Sequence, residues 1–92
     1  MDWSRVLALW EEGRYFEVHE ELEKAWLRAE GKEKRFLKGV ILLAAALHQG
    51  TLGKNGMRNF QKALRHLEGL ENPFLGLDWA SLLEEARRKL GA

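Results

Sequence analysis

Apolar residues recur along this chain at three- and four-residue spacing, and glycines interrupt them at intervals, which predicts a series of amphipathic helices. Trp3, Val6, Leu7 and Trp10 form the first stripe. It predicts a helix from Ser4, a candidate N-cap, to Glu12, with Gly13 ending it. A second helix is predicted from about Arg14 to Glu30, with Gly31 suited to its C-cap. The third, from Glu33 to Gln49, contains "FLKGVILLAAAL", apolar at nearly every angle, and is therefore expected to be the buried central helix. Gly39 inside it costs about 1 kcal/mol relative to alanine in an exposed helix. Together with Ala44, Ala45 and Ala46 it predicts a neighbouring helix passing close by.

The segment "GTLGKNG", residues 50–56, reads as a turn-rich loop. The fourth helix starts at Asn55 or Gly56 and runs to Leu70, with Asn72-Pro73 as its stop. Asp78 can cap a fifth helix, in which Trp79, Leu82, Leu83, Ala86 and Leu90 share a face. Nothing reads as a strand, and a shift by the 34 residues of a tetratricopeptide repeat finds no second copy. The expectation is one all-α domain over residues 1–92, a bundle of about five helices with short connections and roughly antiparallel neighbours.

The second helix carries the candidate chemistry. At about 100° per residue, Glu17, Glu21, Lys24 and Arg28 fall together on a charged solvent arc. Tyr15, Val18, Leu22, Ala25, Trp26 and Ala29 fall on a core face. His19, Glu20 and Glu23 lie on neither, in a stripe shared with Phe16 and Leu27, so they need a partner. His19 and Glu23 are spaced i, i+4 and Glu20 and Glu23 i, i+3, so neighbours can touch.

Three readings follow. The three side chains satisfy each other and nearby structural groups; they bind a divalent ion; or they line a polar pocket that binds an organic ligand or does acid–base work. The metal reading needs more donors than one helix offers, and His48, at the end of the third helix, is the residue that would complete a set of His19, Glu20, Glu23 and His48. The zinc-protease motif, with two histidines at i, i+4, is not met, because Glu23 stands where the second histidine belongs.

Composition narrows the classes. The 92 residues are 46% hydrophobic, enough for one small core. With no cysteine there is no disulfide, thiol nucleophile or thiolate metal site, which fits a reducing cytoplasm. The chain opens Met-Asp-Trp without a secretory pattern. Its longest apolar run, Val40 to Leu47, falls well short of the roughly 20 residues of a membrane span, so no membrane partner is expected.

The net charge of +1 is unevenly spread: residues 1–30 carry eight acids and four bases, residues 31–72 eight bases and three acids. Lys32, Lys34, Arg35, Lys38, Arg58, Lys62 and Arg65 are the residues a nucleic-acid binder would use, but a pI near 8.1 falls short of the basic footprint of such domains. Trp3, Trp10, Trp26 and Trp79 all sit on apolar stripes and read as core, with a leftover patch for a homodimer as the alternative. "GKNG" before the fourth helix reads as a helix cap rather than a phosphate loop.

The strings "EGRYFEVHEELEKAW", "FLKGVILLAAALHQG" and "GMRNFQKALRHL" together resemble the domain-of-unknown-function 309 family. The resemblance rests on an aromatic pair leading into His-Glu, then a glutamate, then a tryptophan, followed by a glycine-containing apolar helix and a glycine-rich turn. It spans roughly Trp3 to Leu83 and departs at the turn, where Met57 stands in place of a small residue. It implies a small all-helical fold and marks Phe16, His19, Glu20, Glu23, Trp26, Gly39 and Gly56; it implies no reaction. The leading expectation is a binding or interaction module with a pocket on His19, Glu20, Glu23, Trp26 and His48, acting on an unknown ligand or protein partner, with no cofactor predicted and a divalent metal as the possible exception. The rival is a metal-dependent hydrolase using His19, Glu20, Glu23 and His48.

Overall fold

In the computed structural model, which describes residues 2–91, five helices follow one another: α1 (Ser4–Glu11), α2 (Tyr15–Trp26), α3 (Gly31–Thr51), α4 (Met57–Leu67) and α5 (Trp79–Lys89). No strand occurs among the described residues; a single bridge between Phe74 and Leu77 closes the turn before α5. α3 is the axis of the bundle. α2 and α4 pack along it, α5 leans on α3 and α4, and α1 packs on α2. Phe36, Leu37, Gly39, Val40, Ile41, Leu43, Ala44, Ala46 and Leu47 of α3 are all buried, as its nearly all-round apolar pattern requires.

Aromatic rings close both ends of this core. Trp3 meets Phe36 edge-on at 5.9 Å between ring centroids, and Phe36 meets Phe74 at 4.8 Å. Trp10 and Tyr15 pack edge-on at 5.5 Å across the α1–α2 turn. Among the described residues no polar or charged residue is buried.

Two glycines set how closely elements approach α3. A Cβ on Gly39 would lie 2.8 Å from Leu67 Cγ and Cδ2 and 3.2 Å from His66 Cβ, so Gly39 is what lets α4 settle against the axis. A Cβ on Gly56 would lie 2.2 Å from the backbone oxygen of Ala46, so the chain entering α4 rests directly on the α3 backbone.

Helix ends differ from expectation in several places, and α3 runs on to Thr51, two residues into the segment expected to be loop. α1 begins at Ser4 itself, and its amide is capped by Asp2 Oδ1 at 2.9 Å rather than by the Ser4 side chain. α2 stops at Trp26, four residues early, because the amides of Arg28 and Ala29 bond to carbonyls only three residues back. Gly31, left-handed at φ +59, therefore opens α3 instead of capping α2. α4 ends at Leu67 through Glu68 in an extended conformation and Gly69 at φ +85, ahead of Asn72-Pro73.

Asp78 caps α5 as expected, accepting the Ser81 amide at 3.1 Å and the Ser81 hydroxyl at 2.6 Å. The Ser81 hydroxyl, the Asn72 side-chain amide and the Ser81 backbone amide hold the Asp78 carboxyl below its usual range. Of the four tryptophans, Trp3 and Trp10 are core, whereas Trp26 and Trp79 are half-buried.

Candidate functional site

The early end of α2 and the late end of α3 meet over the ring of Phe16. Phe16 stacks on His19, one turn along the same helix, with centroids 6.3 Å apart and planes 24° apart. From α3 the His48 ring reaches the same phenyl at 5.6 Å. Tyr15, Ala45, Gln49 and Asn59 complete a cleft of about 200 Å³. Its back wall is a polar bridge between α3 and α4, in which Asn59 Nδ2 donates to Gln49 Oε1 at 3.0 Å. That bond uses the Gln49 oxygen and leaves its amine hydrogens for a further acceptor. His19 Nδ1 lies 3.6 Å from Glu23 Oε2, so the carboxylate one turn on restrains the imidazole.

The stripe on α2 is more open than its need for partners implied. α1 and α3 cover one side of α2 and leave the stripe at the edge of the interface. Phe16 is 51% exposed and Leu27 67%, and the side chains of His19 and Glu23 are 36% and 49% exposed. Water therefore satisfies much of what burial would have left unpaired.

Of the residues singled out from sequence, His19 and His48 come together at Phe16 and Glu23 joins through His19. Glu20 is exposed and stands outside the cleft. Trp26 is at the far end of α2, in a separate groove. Among the described residues no three His, Asp or Glu side chains gather closely enough to hold a metal ion, so His19, Glu20, Glu23 and His48 do not form the donor set a divalent ion needs. Tyr15, Gln49 and Asn59 were not singled out. Gln49 carried a weak signal, being one turn from Ala45; Asn59 carried none, because its place depends on how α4 packs on α3.

Since Glu20 and Glu23 are exposed and only Glu23 has a partner, the double variant E20Q/E23Q is expected to fold like the parent. Its stability in urea should stay within about 0.5 kcal/mol of the parent's, the usual range for surface substitutions.

A bundle wound on one long helix, with an imidazole–phenyl cleft at its side, is a small all-helical module rather than a helical repeat. The chain belongs to the family described as Domain of unknown function (DUF309), which matches residues 3–63, from just before α1 to beyond the middle of α4 and so including the whole cleft. It is also similar to a conserved hypothetical protein of Thermus thermophilus, known from a crystal structure. The two are 64% identical with a TM-score of 0.97, covering 100% of this chain and 98% of that one. No curated protein matches the chain.

Proposed function

We propose that this chain is a small binding module whose ligand site is the cleft between α2 and α3, and that the cleft takes a single planar ring bearing a hydrogen-bond acceptor. The observation that carries this reading is the half-exposed Phe16 ring set between two imidazoles, His19 and His48. A ligand ring laid against Phe16 removes apolar surface from water and gains an aromatic contact. The acceptor on that ring meets the imidazole N–H groups and the unused amine hydrogens of Gln49. Glu23 supports His19 from behind. A volume of about 200 Å³ suits one ring, below the few hundred Å³ of sites for larger ligands.

The test is calorimetric titration with benzoate and with benzamide, a charged and a neutral member of the class. Both are expected to bind with about millimolar affinity, as a ligand of so few atoms allows. Phe16→Ala and His48→Ala should each weaken binding about tenfold, the equivalent of losing one good contact, while E20Q should leave it unchanged. Equal affinity for the parent, Phe16→Ala and His48→Ala would overturn the assignment.

A further inference from the structure

On the other flank of α3, basic side chains from α3 and α4 gather at one tryptophan ring from α2. Lys34 and Lys38, one turn apart on α3, place their ammonium groups 4.5 Å and 5.3 Å from the centroid of Trp26 at the end of α2. Like charges at i, i+4 repel on an isolated helix. Here the Trp26 ring attracts both. Arg65 and His66 of α4 form the opposite wall, and Arg35 is tied across it by donating to the backbone oxygen of Glu68, just past the end of α4. His66 Nδ1 lies 2.9 Å from the Lys62 carbonyl, which can only accept; Nδ1 therefore carries the proton, and Nε2 is left for other partners. Gly31 lines the same groove and contributes no side chain to it, and the volume is about 560 Å³.

Among the described residues no carboxylate forms an ion pair with this cluster. The ion pairs of the described residues involve Arg5, Arg14, His19, Lys24, Arg87 and Lys89, and none reaches Lys34, Arg35, Lys38 or Arg65. A merely solvated basic face would spread its charges. Of the eight bases of residues 31–72, these four converge, while Lys32, Lys54, Arg58 and Lys62 stay outside.

We propose that the groove between the end of α2, the start of α3 and α4 is a second ligand site, for a small molecule carrying a diphosphate or longer phosphate chain. Two ammonium groups over one ring supply point charges for one phosphate. The two guanidinium groups supply planar forks that bind phosphate oxygens in pairs. The volume exceeds that of a single phosphate and falls within the range of small-molecule sites. Four cations in one depression are too short a footprint for a nucleic-acid strand, whose binding needs a basic track along the backbone.

The test is titration of the full chain at about 50 mM salt with pyrophosphate, ADP, orthophosphate and a short single-stranded oligonucleotide. It is read by calorimetry and by the histidine side-chain resonances. Pyrophosphate and ADP are expected to bind one to one and to move His66 while leaving His19 and His48 still, which separates this site from the α2–α3 cleft. K34Q/K38Q and R65Q should each lower the affinity about tenfold or more, and R88Q, at a basic residue outside the groove, should leave it unchanged. Tighter binding of ADP than of pyrophosphate assigns the site to a nucleotide; equal binding assigns it to the phosphate chain alone. The proposal is overturned if neither binds, if orthophosphate binds as tightly as pyrophosphate, if K34Q/K38Q binds like the parent, or if only the oligonucleotide binds.

Discussion

Gly56→Ala is expected to destabilise the fold by about 3 kcal/mol or more, at or beyond the upper end of ordinary overpacking. Gly56 has φ −87 and ψ 0, a conformation open to any residue, so the cost is not one of backbone strain. It comes from what the new methyl meets: the Ala46 oxygen at 2.2 Å, the Ala46 carbonyl carbon at 3.0 Å and its Cα at 3.2 Å. None of these can rotate away, so α4 must lift off α3 or the loop before it must rebuild. Gly39→Ala gives the contrast. Its methyl meets side-chain rather than backbone atoms, Leu67 Cγ and Cδ2 at 2.8 Å and His66 Cβ at 3.2 Å, and the cost of shifting them is offset in part by the helix propensity of about 1 kcal/mol that alanine gains over glycine. Urea unfolding of the two variants should therefore rank Gly56→Ala well below Gly39→Ala; the reverse order would mean that α4 does not rest on the α3 backbone at Ala46.

Phe36→Ala is the other change expected to be severe, at about 3–5 kcal/mol, through lost apolar transfer and the cavity left behind. Phe36 is fully buried and is the ring that Trp3 and Phe74 both pack on. Its loss therefore loosens the chain's start and the turn before α5 together. In a domain of this size each kcal/mol lowers the midpoint by about 4–8 °C, so thermal unfolding followed by circular dichroism should move down by at least about 12 °C. A drop of only a few degrees would show that neighbouring side chains collapse into the space.

The helices and the central place of α3 were legible because periodicity reports directly which angles of a helix are apolar. The all-round apolar run from Phe36 to Leu47 could be satisfied only by neighbours on most sides. Gly39 was legible for the same reason, since a glycine inside such a run has a use only where something approaches closely. The α2 stripe was legible in part. Its angles place His19, Glu20 and Glu23 away from the charged arc, but an angle is measured about the helix's own axis and carries no record of where the neighbours lie. α1 and α3 cover one side only, and the stripe with Phe16 is left at the edge.

What the sequence could not give is through-space. His48 reaches Phe16 from 32 positions away, Asn59 arrives from α4, and Arg65 and His66 come to Trp26 only once α4 has docked on Gly39. The lysine pair at i, i+4 was visible in the chain, but its platform was read as core. Trp26 is half-buried because α2 ends with that residue, and the ring projects beside α3 instead of under it.

The central claim is that the ring of Phe16 and the imidazoles of His19 and His48 form one ligand site. The chain's three histidines make it directly measurable, because two of them line this cleft and the third lines the basic groove. Imidazole ¹H–¹⁵N correlation spectra recorded through a benzoate titration should show His19 and His48 moving together along one saturating curve while His66 stays in place. Resonances of His19 and His48 that stay still to saturating benzoate, or that move along unrelated curves, would contradict it.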